Sequence, residues 1–216
     1  MRLLALALVL VAPPLVACVA NTEAETETRT EPKVEEPAPP AEEAPKALAY
    51  PEAPYGKSAN AVFPNVTFEG YREGTGAWTS LSMLDYFDPD DTKGVRALYI
   101  VVAAQWCSVC QQEAQRLPKS YPALKDRGAR FLMLLGQDNA RKPALQSTID
   151  AWQSRFHVPF DIGADPKLEF LPPGATGFPT CYVVDPRTMK IVRVLPGITA
   201  DGTIPGLETM LKKNGG

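Results

Sequence analysis

One short segment, Trp106-Cys107-Ser108-Val109-Cys110, constrains the fold of this chain more than any other. It follows the apolar run 98–104 and precedes the polar residues 111–116, so the pattern predicts a strand, a turn and a helix. A helix N-terminus presents unpaired backbone N–H groups and positive partial charge, which stabilise a thiolate on the first cysteine. A C-x-x-C pair in this position is typical of a redox site.

The composition excludes some classes of function. The chain has 216 residues and a formal net charge of −3, which gives no support to nucleic-acid binding, since that requires a basic patch. Four cysteines are too few for a disulfide scaffold of this length. They occur as one near the start, a pair in the middle and one later, which indicates separate roles.

The first eighteen residues have the pattern of an export signal. Met1-Arg2 is followed by the apolar run 3–11, which is too short for a helix that spans a membrane. The run closes with Leu15-Val16-Ala17-Cys18, which resembles a bacterial lipobox. We therefore expect 1–18 to be a lipoprotein signal peptide and Cys18 to be the lipidation site that holds the protein on a bacterial membrane. An ordinary signal peptide and an uncleaved anchor are the alternatives.

Residues 19–59 are predicted to be a disordered linker. The segment is rich in Glu, Pro, Thr and Ala and has few large apolar side chains, so it cannot bury enough surface to offset the entropy of ordering. Proline and charge repulsion keep such a segment extended. We interpret it as a spacer, with an acidic interaction tail as the alternative. Export places the rest of the chain in the periplasm or at the cell exterior, where disulfides persist.

Residues 60–214 are predicted to form one α/β domain. Strands are expected at 66–69, 77–79, 96–104, 130–136, 160–162, 180–184 and 190–195. Helices are expected at 81–87, at 108–125 with a bend at Pro118, at 143–156 with Pro143 in the first turn, and at 203–213. This order predicts a mixed central sheet with helices on both faces and an N-terminal β-hairpin.

Two motifs carry a resemblance to the thioredoxin superfamily. The segment 106–110 resembles its W-C-x-x-C, and Gly177-Phe178-Pro179-Thr180 is similar to its G-x-P-T, whose proline is cis and faces the cysteine pair. The leading hairpin and the insertion between Phe131 and Phe160 are similar to the exported, membrane-tethered TlpA/ResA-like thiol–disulfide oxidoreductases, which have a redoxin (AhpC-TSA-like) domain. The resemblance covers residues 61–213 and implies a thioredoxin-like fold.

The match to this branch is incomplete. Cys110-Gln111-Gln112-Glu113 matches the C-x-x-E of the branch, whose glutamate is associated with the redox site. Val101 occupies the position where cytosolic thioredoxins have a buried aspartate, which weakens an interpretation as a general thioredoxin. Ser108-Val109 replaces their Gly-Pro, and this difference leaves the redox potential open.

The resemblance and the chemistry together assign the catalytic residues. Cys107 is the expected nucleophile, and Cys110 resolves the mixed disulfide. Glu113 is expected to move the proton of the resolving thiol, the alternative being a solvated helix glutamate. A structural disulfide or half of a zinc site is the alternative for the pair, but zinc needs two further ligands and only Cys181 and His157 are spare. We expect no metal and no cofactor besides the redox-active Cys107–Cys110 disulfide.

Three residues near the pair are predicted to bind substrate. Trp106 either shields the site and contacts partners or is an ordinary aromatic at a strand end. Pro179 is expected to follow a cis bond and to direct backbone toward an incoming extended chain, with Phe178 beside it and Thr180 starting a strand. Cys181 is interpreted as a small buried hydrophobe, with a third redox thiol as the alternative.

The resulting prediction is a lipid-anchored, monomeric thiol–disulfide oxidoreductase of the protein-disulfide reductase type. Its expected partners are extracytoplasmic proteins with disulfides and a membrane or periplasmic electron donor. A peroxidase of the same fold is an alternative, although Ile100 and Ala104 replace the Pro and Thr of the peroxiredoxin P-x-x-x-T-x-x-C. A copper-delivery protein would use C-x-x-x-C, and a surface lipoprotein that only binds partners is the non-enzymatic alternative.

Overall fold

The structure, a computed structural model, describes residues 49–175 and 177–216. The predicted signal peptide and the predicted lipidation site, Cys18, lie outside these residues, as does the predicted linker up to residue 48. Within the described ranges, no helix has the length and apolar character needed to cross a bilayer.

Seven strands among the described residues form one mixed sheet. The strands are β1 (Thr67–Tyr71), β2 (Trp78–Ser82), β3 (Ala97–Ala104), β4 (Ala129–Gln137), β5 (Asp161–Ala164), β6 (Thr180–Asp185) and β7 (Lys190–Leu195). The α-helices are α1 (Ser108–Asp126), α2 (Gln146–Phe156) and α3 (Leu207–Lys213), and a 3₁₀-helix spans Met83–Tyr86. Across the sheet the order is β2-β1-β5-β4-β3-β6-β7, so the predicted α/β class is confirmed.

Strand β3 lies inside the sheet and is buried along its whole length. It pairs in parallel with β4 on one side and antiparallel with β6 on the other. Strands covered on both faces are nearly continuous apolar runs, which is the pattern of residues 97–104. Because β3 leads directly into residues 105–110, the most protected part of the sheet positions the cysteine pair.

Each face of the sheet carries its own apolar cluster. Tyr99 and Val101 belong to the cluster that contains α1, α2 and α3. Leu98 and Ile100 belong to the opposite cluster, which contains the 3₁₀-helix and Phe170. Since successive residues of a strand point to opposite faces, β3 contributes to both clusters. Helical structure thus covers both faces as predicted, although one face has only the 3₁₀-helix and loops.

Three predicted helix starts are wrong. The helix predicted at 81–87 is a 3₁₀-helix that begins at Met83, because residues 81 and 82 belong to β2. Helix α2 begins at Gln146, because Pro143 is still bridged to Gln137 at the end of β4. Helix α3 begins at Leu207 and not at residue 203. The residue before a proline is disfavoured in helical conformation, and Ile204 precedes Pro205. The predicted hairpin is confirmed by the antiparallel pairing of β1 with β2.

Residues 49–59 pack with the domain. The hydroxyl of Tyr50 donates a hydrogen bond of 2.8 Å to the carbonyl of Phe63, and a short bridge joins Tyr55 to Val62. The ring of Tyr50 also packs on Phe87, with the two ring centroids 5.7 Å apart. The packing of the domain therefore begins before the predicted boundary at residue 60.

Candidate active site

The cysteine pair lies at the start of α1, as predicted. Cys107 is the N-cap residue, and its sulfur accepts a hydrogen bond of 3.1 Å from the backbone N–H of Cys110. The two residues form a disulfide with their Cα atoms 5.2 Å apart. Cys107 is 4% exposed and Cys110 is fully buried, so the first cysteine is the one that a partner can reach. In the dithiol form, the helix terminus and this N–H stabilise a Cys107 thiolate.

The second predicted motif lies directly beside the first. The Phe178–Pro179 peptide bond is cis, as expected, and Thr180 starts β6. The carbonyl oxygen of Phe178 is 3.4 Å from the sulfur of Cys107. A disulfide sulfur has no proton to donate, so this is a packing contact in the oxidised protein and becomes a hydrogen bond when Cys107 carries a thiol proton. The tertiary fold therefore brings together the two motifs that carry the resemblance.

Trp106 and Phe178 form an aromatic pair next to the disulfide. Their ring centroids are 5.8 Å apart in an edge-to-face arrangement. The indole N–H of Trp106 donates a hydrogen bond of 2.9 Å to Gln137 at the end of β4. The guanidinium of Arg141 lies 4.0 Å from the centroid of the Trp106 ring, which is a cation–π contact. Arg141 was missed in the sequence analysis because no local pattern connects it with Trp106.

Glu113 is buried, so the alternative of a solvated helix glutamate is wrong. Glu113 lies one helical turn after Cys110 on α1 and is only 2% exposed. Oε1 accepts a hydrogen bond of 2.6 Å from the backbone N–H of Ile198, and Oε2 lies 3.8 Å from the sulfur of Cys181. Burial raises the pKa of Glu113 to about 7, against the lowering effect of the Ile198 N–H, the Cys181 thiol and the more distant Arg116. The carboxyl therefore changes charge near neutral pH.

Cys181 is a free and fully buried cysteine in β6. Its backbone is paired with Val101 of β3. Val101 occupies the position of the buried aspartate of cytosolic thioredoxins, so the fold places the Cys181 thiol beside that position. The buried carboxyl near this position comes from α1, as Glu113. Burial, with the nearby Glu113 as a smaller cause, raises the pKa of the Cys181 thiol well above its usual value. The thiol is therefore protonated at neutral pH.

A close approach of backbone completes the environment of Glu113. Gly197 has φ of 131°, a conformation that favours glycine. A Cβ atom at this position would lie 2.7 Å from Oε1 of Glu113. Glycine thus allows the loop after β7 to reach the carboxyl and to donate the Ile198 N–H. The sequence offered no signal for this contact, since the two segments are far apart along the chain.

The remaining candidate ligands do not gather around the cysteines. His157 ends α2 with φ of 48° and is exposed. In the part of the chain that the structure describes, no group of three or more His, Cys, Asp and Glu side chains is arranged to hold a metal ion. The geometry thus gives no support to the zinc alternative.

The fold and the site define a class of protein, namely a thioredoxin-like domain with a disulfide at the start of a helix and a cis-proline loop beside it. The sequence profile described as AhpC/TSA family matches residues 65–192, and the chain belongs to this family. No curated protein matches the sequence.

Solved structures support the fold. The thioredoxin domain of a thiol-disulfide oxidoreductase from Bacteroides vulgatus is 21% identical with a TM-score of 0.51, and the match covers 72% of this chain and 96% of that chain. A structure from Chlorobium tepidum described as a thiol:disulfide interchange protein, DsbE, is 20% identical with a TM-score of 0.52 and coverage of 76% and 100%. The reduced 2-Cys peroxiredoxin of Plasmodium vivax is 13% identical with a TM-score of 0.52 and coverage of 73% and 94%. At these identities the likeness establishes the thioredoxin-like fold.

Proposed function

We propose that this protein is an extracytoplasmic thiol–disulfide oxidoreductase that reduces disulfides of partner proteins by dithiol exchange at Cys107 and Cys110. The observation that carries the proposal is the position of the Cys107 sulfur, which caps α1 and lies 3.4 Å from the carbonyl that precedes the cis-proline. A helix terminus favours the thiolate, and the neighbouring backbone offers a place for an extended partner chain.

The reaction has two exchange steps. The Cys107 thiolate attacks one sulfur of the partner disulfide, so that a mixed disulfide forms, the partner S–S bond breaks, and the leaving thiolate takes a proton from solvent. Cys110 then gives its proton to the Glu113 carboxylate and attacks the Cys107 sulfur. This step forms the Cys107–Cys110 disulfide and releases the second partner thiolate, which is also protonated. Two electrons pass to the partner, and an external dithiol donor restores the reduced pair.

The surface beside the disulfide suits a protein partner. Trp106 and Phe178 present aromatic side chains next to Cys107, and Val109, between the two cysteines, is 49% exposed. Trp106 and Phe178 are half-buried and Pro179 is buried, so a partner would meet Val109, the accessible parts of the two rings and the backbone of the cis-proline loop. We infer that Trp106, Phe178 and Pro179 contact the partner chain around its disulfide.

The location of the protein is part of the same proposal. Lipidation at Cys18 would anchor the protein on a bacterial membrane, with the segment 19–48 as a spacer and the domain acting as a monomer. Residues 49–59 pack with the domain and are not part of the spacer. The anchor would keep the domain in the compartment where partner disulfides and a membrane or periplasmic electron donor are found. Mass spectrometry of the mature N-terminus tests this, because an unmodified Cys18 contradicts it.

Peroxide reduction is the second candidate, since a peroxiredoxin is among the structures of the same fold. Ile100 and Ala104 argue against it, because neither supplies the proline or the threonine hydroxyl of the peroxiredoxin motif. A binding protein without catalysis is also less well supported, because it needs neither the cysteine pair nor the buried Glu113.

A trapping experiment tests the proposal. The full chain with Cys110→Ser, reduced and then mixed with extracytoplasmic extract, should accumulate mixed disulfides through Cys107, which mass spectrometry identifies. The matched control is Cys107→Ser, which keeps Cys110 but should trap no partner and should lose insulin reduction in the presence of a dithiol donor. Full insulin reduction by Cys107→Ser would refute the assignment, and rapid peroxide consumption without insulin reduction would favour the peroxidase.

A further inference from the structure

Three polar side chains from three different elements meet in the core behind the disulfide. They are Glu113 of α1, Cys181 of β6 and Tyr99 of β3, and none is more than 2% exposed. The Cys181 sulfur lies 3.8 Å from Oε2 of Glu113. The Tyr99 hydroxyl neighbours the Cys181 thiol, and it has no well-aligned hydrogen-bond partner within the described residues. Buried polar groups of this kind are costly unless they satisfy one another.

The two oxygens of Glu113 have different surroundings. Oε1 faces the backbone N–H of Ile198, which is a fixed donor and requires an acceptor opposite it. A proton bound to the carboxyl therefore resides on Oε2, the oxygen that faces Cys181. The thiol of Cys181 is thus the neighbour of the atom where Glu113 gains and loses its proton.

A thiol can both donate and accept a hydrogen bond, so Cys181 can serve either charge state of the carboxyl. When Glu113 is ionised, the Cys181 thiol donates to Oε2, and its sulfur is free to accept from the neighbouring Tyr99 hydroxyl, which makes no hydrogen bond among the described residues. When Glu113 is protonated, Oε2–H donates to the sulfur and the thiol proton turns toward the Tyr99 oxygen. No proton leaves Cys181 in either arrangement, since only the direction of the hydrogen bonds changes.

We propose that Cys181 is a positioning residue whose thiol reverses its hydrogen bond as Glu113 titrates, and thereby sets the pH at which Glu113 accepts the proton of Cys110. The inference rests on the proposed function, because it assumes that Glu113 serves Cys110 in disulfide exchange. It goes beyond that function by assigning a role to the third cysteine and to Tyr99.

Other groups around Glu113 also influence the pH at which it gains and loses its proton. On α1, Cys110 lies one helical turn before Glu113 with its sulfur in the uncharged disulfide, and Arg116 has an exposed guanidinium. The loop after β7 supplies the Ile198 N–H. The Cys181 thiol is the neighbour of the carboxyl that can change its hydrogen bond.

Infrared spectroscopy of the oxidised full chain tests the reversal directly. Cys107 and Cys110 have no S–H group in this state, so the difference spectrum against Cys181→Ala isolates the S–H stretch of Cys181. We expect this band to shift with the same midpoint pH as the protonated-carboxyl band of Glu113, and to become independent of pH in Glu113→Gln. A Cys181 band that does not respond to pH in the wild type would overturn the proposal, whatever the folding of the variants.

Substitution of Cys181 tests the control over Glu113. Cys181→Ala removes the donor to the carboxylate and should raise the midpoint of the carboxyl band by about one unit, whereas Cys181→Ser supplies a stronger donor and should restore or lower it. The midpoint of the exchange rate against pH should move in parallel. Unchanged midpoints in both variants would overturn the proposal. Linked infrared bands without any disulfide exchange by the wild type would instead overturn the proposed function alone.

Discussion

The backbone N–H of Ile198 donates a hydrogen bond of 2.6 Å to Oε1 of Glu113, although the two residues are 85 positions apart. The contact joins the loop after β7 to the helix that carries the cysteines. It holds one carboxylate oxygen in place inside an apolar core, where an unpaired carboxylate would be costly. The protonation of Glu113 therefore depends on tertiary packing, and several consequences can be measured.

Glu113→Gln should change the pH dependence of disulfide exchange. Burial raises the pKa of Glu113 to about 7, so the wild type gains the base form as pH rises through this value and its resolution step should accelerate. The variant has no base at this position, so its rate should lack this transition and fall by about 100-fold at pH 8. Stopped-flow measurement of mixed-disulfide resolution checks this, and identical pH profiles would contradict it.

The same substitution should slow disulfide exchange but increase the free energy of unfolding. The folded pKa of about 7 is above the ordinary value of 4.5, so the folded state binds more protons than the unfolded state between these values. Wild-type stability therefore falls as pH rises across this range, and ionised Glu113 costs roughly 3 kcal/mol at pH 8.

Glu113→Gln should thus be more stable than the wild type at pH 8, and the difference should shrink toward pH 4. Urea unfolding of the oxidised proteins at both pH values measures it. Asp165, whose pKa burial raises to about 6, titrates in both proteins and cancels in the comparison. A variant that is less stable at pH 8 would show that the carboxylate is better solvated than its burial indicates.

Gly197→Ala should disturb Glu113 through direct contact. The new Cβ would lie 2.7 Å from Oε1, and the residue has a positive φ that alanine rarely adopts. We expect a loss of about 1–3 kcal/mol in the free energy of unfolding and a shifted midpoint of the exchange rate against pH. Gly202→Ala is the matched control, because Gly202 has φ of 85° in the same loop but no atom within 4 Å of its added Cβ. If the exchange rates of Gly197→Ala and Gly202→Ala had the same midpoint against pH, the contact between residue 197 and Glu113 would not control the titration of Glu113.

Trp106→Ala should weaken exchange with protein partners more than exchange with a small disulfide. The ring packs against Phe178 and under Arg141, so its loss removes an aromatic anchor beside Cys107. The expected decrease in kcat/KM for a protein disulfide is about 30-fold, the size of a typical interface hot spot. Trp78→Ala is the control, since Trp78 lies on the outermost strand β2. An equal loss with a small disulfide would instead assign Trp106 to the chemistry.

Tyr86→Phe should destabilise the domain because it removes a donor to a buried carboxyl. The Tyr86 hydroxyl donates a hydrogen bond of 2.5 Å to Asp161, which is 7% exposed. The expected loss is about 1–3 kcal/mol. The control is Tyr71→Phe, which removes an equally short hydrogen bond to the exposed Asp150 and should change stability by less than about 0.5 kcal/mol. Urea unfolding compares the two, and similar losses would contradict the role of burial.

Much of the fold could be predicted because its signals are local. The apolar run that became β3, the hairpin of β1 and β2, and the terminal pair of β6 and β7 were predicted from patterns of neighbouring residues. The predicted start of α2 was wrong because Pro143 is still bridged to Gln137 at the end of β4, a pairing that has no local signal. The predicted start of α3 was wrong because Pro205 disfavours a helical conformation at Ile204, which is a local effect that the prediction overlooked. The place of β5 between β1 and β4 has no local signal, since strand order is decided by packing.

The sequence by itself determined the cysteine pair at the N-terminus of α1, and the resemblance of residues 177–180 to G-x-P-T predicted the cis bond before Pro179, which precedes β6. These features depend on residue type and on short spacing. Only the tertiary structure decided that Glu113 is buried and that Ile198 and Cys181 face its two oxygens. Burial and contact between distant segments arise when helices and strands pack, and packing is what raises the pKa of this carboxyl to about 7.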